Sequence, residues 1–270
     1  MLSDAHKTYR CANKHSYDVA KEGYVNLLPV QFKHSKEPGD SKAMMLARRA
    51  FLEAGFYAPL AHAVAQMLAD SSPASHLRVL DLGCGEGYYC RQLAALNPAA
   101  QWQLHGVDIA KFAVAAAAKK QPEACFSVAS VNRLPYPDHY FDRVLRVFAP
   151  SADDELQRVL KPDGQVLMVT PGPRHLWQLK EFIYTEVQAH ALEASLPTGF
   201  VRLDSTRISA TITPEPDQRL ALLQMTPFAW QTHAAGLQAL TDTAALTIDI
   251  DFILTRAAKI TDGTNTSQCL

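Results

Sequence analysis

The chain has 270 residues, 48% of them hydrophobic and 20% charged, with a formal net charge of −1, the profile of an ordinary soluble globular protein. No apolar run reaches the roughly 18 residues of a membrane span, and the polar start Met1-Leu-Ser-Asp-Ala-His-Lys7 lacks the apolar core of a signal peptide. Five scattered cysteines, odd in number, imply no disulfide framework and suit a reducing cytoplasm. Charge is uneven, with nine Lys/Arg against five Asp/Glu in residues 1–52 and 17 against 22 in the remainder. A weakly basic N-terminal face is one account of this, and chance variation over fifty residues is the other.

In residues 1–35, Tyr9, Cys11, His15, Tyr17, Tyr24 and Val25 alternate with polar residues, as in a small β-rich module with tight turns. Cys11 and His15 have the Cys-x-x-x-His spacing of half a zinc site. Residues 1–10 contain no cysteine, and His6 is the further donor there, so the metal site reads as incomplete. Residues 36–75 read as a helical linker. Met44, Leu46, Ala47, Ala50, Phe51 and Ala54 make one apolar stripe that Gly55 ends, and Leu60, Ala63, Val64, Met67 and Leu68 make a second. Arg48 and Arg49 fall off the first stripe, where they can pair with phosphate or, by default, make a solvated face. Tyr57 lies between the two helices.

Residues 76–258 alternate strand and helix, the pattern of a parallel sheet covered on both faces. Strands are expected near 78–82, 102–107, 124–128, 141–147 and 165–170, and helices near 88–96, 110–120, 153–160 and 174–190. A final pair of strands includes Thr247–Leu254, 199–230 reads as a lid or substrate-facing insert, and 259–270 as a disordered tail. The fold expected is α/β: a doubly wound, mostly parallel, seven-stranded sheet.

The stretch Val79-Leu-Asp-Leu-Gly-Cys-Gly-Glu-Gly-Tyr-Tyr89 carries the chemistry. Glycines at 83, 85 and 87 permit a sharp turn between strand and helix and a close approach of backbone to ligand. A dinucleotide fingerprint would need its third glycine at position 88, which is Tyr88. Asp81 would repel a pyrophosphate but suits a ligand bearing an ammonium. The pattern Asp-x-Gly-x-Gly-x-Gly resembles motif I of the Rossmann-like class I methyltransferases, which implies S-adenosyl-L-methionine as cofactor, lined by Gly83, Gly85, Glu86 and Gly87. Ligands in such sheets sit at the carboxyl ends of the strands. Asp108 there can accept both ribose hydroxyls or cap the next helix, and Ser130 and Asn132 can meet the adenine or cap a turn. Phe148 and Pro150, after the fourth strand, can stack a flipped base or simply pack.

Longer segments carry a closer resemblance. His15-Ser-Tyr-Asp18, Ala20–Pro29, Pro38-Gly-Asp-Ser41, Met44–Leu52, Cys84–Tyr89, Thr170-Pro-Gly-Pro-Arg-His-Leu176 and Leu222–Trp230 are similar to the bacterial 23S rRNA (guanine-N1)-methyltransferases. The resemblance runs to about residue 255. It implies methylation of a guanine N1 in a 23S rRNA hairpin, with the N-terminal module and the insert gripping RNA, and a homodimer. It also implies cofactor contacts from Tyr57 and His175, with Arg174 and His175 as the candidates for a catalytic role. The family's zinc module pairs Cys-x-x-Cys with Cys-x-x-x-His; this sequence keeps Cys11 and His15, and the other half would lie upstream of Met1. Two further readings stay open: a small-molecule methyltransferase, and a non-catalytic RNA-binding protein retaining the fold.

Overall fold

The computed structural model describes residues 2–4, 8–11, 13–29, 31, 39–70 and 76–260. Strands β1 (Leu2–Asp4), β2 (Thr8–Arg10) and β3 (Ser16–Asp18) form a three-stranded antiparallel sheet. The module does not end there. Strand β4 (Val25–Asn26) pairs in parallel with β7 (Cys125–Val128), with Tyr24, Val25 and Leu28 buried behind it.

Val79, Leu80, Val107, Val144 and Leu145 are buried, as expected of central parallel strands covered on both faces. With β5 (Arg78–Leu82), β6 (Gln103–Asp108), β8 (Phe141–Val147), β9 (Leu160–Pro171), β10 (Phe200–Ile212) and β11 (Ile248–Lys259), the main sheet is ordered β10-β11-β9-β8-β5-β6-β7-β4. The strands from β9 to β4 are parallel, and β11 lies antiparallel between β9 and β10. The seven expected strands are therefore present, and β4 adds an eighth at the edge. Strand order reverses between β5 and β8, and the crevice at that switch is where ligands bind in such sheets.

Three expectations need correction. The two helices before the sheet, α1 (Lys42–Glu53) and α2 (Ala58–Asp70), are no linker: Phe51, Leu60 and Val64 are fully buried in the main core. Burying such side chains contributes roughly 2 kcal/mol each, which fixes the helices against the sheet. The long helix near 174–190 shrinks to α6 (Trp177–Glu181). Phe182, Ile183 and Tyr184 are consecutive, so no apolar stripe at helical spacing continues it. Of the expected insert at 199–230, Phe200–Ile212 is the sheet's edge strand; α7 (Pro216–Gln224), a 3-10 turn (Pro227–Gln231) and α8 (Ala234–Asp242) form the true excursion before β11. Exposed and half-buried residues alternate along most of Phe200–Ile212, as in a strand with one face solvated. Residues 261–270, nearly all of the expected tail, lie outside the described residues. The remaining helices, α3 (Tyr88–Leu96), α4 (Lys111–Lys120) and α5 (Asp153–Val159), fall where the sequence puts them.

Candidate active site

At the carboxyl ends of β5, β6 and β8 opens a cavity of about 820 Å³. Its floor is the turn after β5. Gly83, Gly85 and Gly87 all adopt positive φ (76°, 53° and 70°), a region side chains disfavour. A Cβ on Gly83 would lie 2.7 Å from Ala149 Cβ, so the turn also needs its bare backbone for space.

Two carboxylates flank this turn. Asp81 is buried and is bonded by Cys90 through both its backbone N–H and its thiol, the latter 3.5 Å from Oδ2. Burial raises its pKa to about 7. A carboxyl whose charge is disfavoured by burial is what an incoming ammonium would stabilise. Asp108 accepts the Gly85 N–H at Oδ2 (2.9 Å) and the Ala110 N–H at Oδ1 (2.8 Å). Asp108 does not cap α4, whose N-cap is Ala110 without a side-chain bond; it ties the turn before that helix to the glycine turn, and each oxygen keeps a lone pair free for a ligand. Burial pushes its pKa upward against these two bonds. Ser130 and Asn132 line the cavity, with Ser130 Oγ accepting the Asn132 N–H at 3.2 Å. The glycine turn and the two acids beside it together fit an S-adenosyl-L-methionine.

Glu86 takes a different partner. Its carboxylate receives both Nε and Nη2 of Arg49 in a bidentate pair. Arg49 is not on a solvated face, and neither is Arg48, which bonds Asp40 at 2.6 Å and the Met225 carbonyl at 3.3 Å. Both arginines line the cavity, so α1 closes one side of it. Periodicity alone could not find this, because Glu86 sits 37 residues downstream.

The second half of the cavity is aromatic. Phe148 holds φ +52° and stands half exposed, its ring stacked on His175 at 5.8 Å and 29°. A non-glycine residue in this backbone region costs about 1–2 kcal/mol, and here it turns the ring into the cavity beside Pro150. Tyr57 and His175 are both buried, Tyr57 Oη 3.4 Å from His175 Nε2. Asp251 N–H donates to His175 Nδ1 at 3.2 Å, so the ring's proton is on Nε2. Burial lowers the His175 pKa to about 3. A neutral ring whose lone pair is already used cannot accept a substrate proton, which removes His175 as a general base. Gly172 makes the arrangement possible: a Cβ there would come within 2.5 Å of the Asp251 carboxylate.

Arg174 is not in the site. Its Nε bonds Asp249 at 2.7 Å, its guanidinium lies over Trp177, and it is not among the cavity's lining residues. His190, Met225 and Phe228 do line it and had no individual signal in the sequence, although Met225 and Phe228 fall in the Leu222–Trp230 segment.

The N-terminal half-site is partly formed. Cys11 Sγ lies 3.4 Å from His15 Nδ1. Among the described residues no third histidine, cysteine or acid joins them, and His6 lies outside those residues. Two donors are half of what a tetrahedral structural zinc needs, so the described residues do not fit a zinc site.

Comparison with known proteins agrees with this geometry. Residues 1–36 match the family model of the zinc ribbon "RlmA, N-terminal", and residues 73–220 match "Methyltransferase domain". The 23S rRNA (guanine(748)-N(1))-methyltransferase of Streptomyces fradiae is 33% identical over 235 residues, covering 85% of this chain and 82% of that one. YxjB of Bacillus subtilis (strain 168), named for guanine-N(1) methylation of 23S rRNA, is 29% identical over 260 residues, 92% of this chain and 90% of that one. Among solved structures, a chain of the Haloferax volcanii complex between the Trm112 methyltransferase activator and a methyltransferase shares the fold. It has a TM-score of 0.50 at 17% identity and covers 83% of this chain and 100% of that one. With the glycine turn, the two acids and matches along nearly its full length, this chain belongs to the 23S rRNA (guanine-N1)-methyltransferase family.

Proposed function

We propose that this protein methylates N1 of a guanine in a 23S rRNA hairpin, with S-adenosyl-L-methionine as donor. The observation that carries the reading is a single cavity in which a nucleoside-shaped half, from Asp81 to Asp108, adjoins an aromatic half built on Phe148 and His175. When bound, S-adenosyl-L-methionine supplies a methyl group on a sulfonium, which already carries its own leaving group.

The chain's own residues then have four tasks. Asp108 holds the ribose hydroxyls, Asp81 faces the ammonium, and Ser130 and Asn132 meet the adenine edge. The glycine backbone, tied to Asp108 through Gly85, fixes the position of the nucleoside. Phe148 and Pro150 offer an apolar platform for a base flipped out of its stack. Met225 and Phe228 line the cavity and give it apolar surface against the reacting groups. Alignment and exclusion of water, rather than covalent catalysis, supply most of the acceleration such a displacement needs.

The test is transfer of labelled methyl from S-adenosylmethionine into 23S rRNA fragments, with a metabolite pool offered in parallel. The expected product is one N1-methylguanine in a hairpin, seen as a reverse-transcription stop because N1 lies on the pairing edge. Label entering only small molecules would replace this reading with the small-molecule one. Asp108→Ala should abolish cofactor binding in calorimetry; unchanged affinity would reject the ribose assignment.

A further inference from the structure

Lys180, on α6, is buried, and its Nζ lies 2.7 Å from His190 Nε2. The ring of Phe228 covers its other side at 5.6 Å. Among the described residues no carboxylate pairs with it. Asp251, the acid whose field reaches His190, is already held by Arg207, Ser209 and the Arg174 N–H. His175 faces the same pair and is neutral, its lone pair taken by the Asp251 N–H. His190 and Phe228 line the same cavity as Phe148. A buried cation thus stands behind a cavity-lining imidazole with no anion assigned to it. Such a charge is costly unless a ligand completes it.

We propose that Lys180, acting through His190, holds positive charge against O6 of the guanine while its N1 proton leaves. The inference rests on the guanine-N1 reading above. Lys180 donates to His190 Nε2, so His190 carries its own proton on Nδ1 and presents that N–H to the ligand. The guanine N1–H bond breaks, the proton passes to water, and the electron pair spreads over N1 and O6. The anionic oxygen takes the Nδ1–H hydrogen bond. His190 touches the base and is the catalytic residue; Lys180 fixes its tautomer and charge and is a positioning residue. Preorganised donors aimed at a developing oxyanion are among the strongest devices an enzyme has.

The experiment uses the full-length protein and a 23S rRNA hairpin with ¹⁵N-labelled guanines. Nuclear magnetic resonance follows N1 protonation in the complex without methyl donor, and single-turnover transfer is measured against pH. One guanine in the wild-type complex should lose its N1 proton at least about one pH unit below the others. Lys180→Met and His190→Ala should abolish that shift and slow transfer about 100-fold near pH 7. The loss should shrink as pH approaches the guanine's own range, and Lys180→Arg should restore part of both. Unchanged cofactor affinity in each variant reports an intact fold. A loss equal at every pH, or no shifted guanine in an active wild-type complex, overturns this inference alone. A wild-type protein that transfers no methyl to the hairpin overturns the functional reading and this inference with it.

Discussion

The backbone N–H of Asp251 donates to Nδ1 of His175 at 3.2 Å, and that one bond settles what the histidine can do. A residue that sequence marks as a proton carrier becomes a fixed donor at Nε2, aimed at Tyr57. We expect its ring to stay neutral, in the Nε2–H tautomer, throughout pH 5 to 8, since burial holds its pKa near 3. Nitrogen-detected resonance spectra of the histidines check this. A titration near pH 6 would return His175 to the list of bases.

Asp81 couples stability to pH. Its folded pKa of about 7 lies above an unfolded value near 4, so the native chain keeps a proton that the unfolded chain has lost. Stability should therefore fall as pH rises from about 4 to about 7. Asp81→Asn should remove that slope and make the cofactor-free protein more stable at pH 8 by about 1–3 kcal/mol in urea titrations. The same variant should lose most cofactor affinity, because the carboxylate is the form an ammonium pairs with. Wild-type affinity should itself drop on going from pH 8 to pH 6. An unsloped wild-type profile would contradict the burial argument.

Phe148 separates strain from function. Phe148→Ala removes the stacking platform but leaves a side chain at positive φ, whereas Phe148→Gly removes both. Both variants should lose RNA methylation by about 100-fold while keeping cofactor affinity, by analogy with a stacking loss of about 1–3 kcal/mol per base. In denaturation the glycine variant should be about 1 kcal/mol more stable than the alanine one. Equal stabilities would mean that the backbone relaxes once the ring is gone.

The Arg49–Glu86 pair ties α1 to the cofactor turn. Removing Arg49 leaves a buried carboxylate without its partner, so Arg49→Met should cost about 2 kcal/mol. Adding Glu86→Gln should recover part of that loss. A double-mutant cycle measures the coupling, and a value near zero would reduce the pair to a surface contact. Cofactor affinity should fall in Arg49→Met, because the turn is then held from one side only.

Those features that depend on local backbone chemistry were legible in the chain. Asp81, the three glycines and Asp108 sit at strand ends, and the turn between β5 and α3 needs those residue types whatever surrounds it. The edge strand Phe200–Ile212 was misjudged because one exposed face gives it the polarity of a loop. The helix expected near 174–190 was misjudged because Trp177–Glu181 form helix and the apolar residues that follow do not share a face.

The sequence by itself determined the central parallel strands, the helices between them and the cofactor turn, since these follow from hydrophobic period and from glycine's freedom over a few residues. Only the tertiary structure decided which charged groups share the cavity. Arg49 reaches Glu86, His175 is fixed by Asp251, and Lys180 meets His190 beneath Phe228. Whether such a side chain is solvated or buried against a partner depends on groups that packing, and not chain proximity, brings within three ångströms or so.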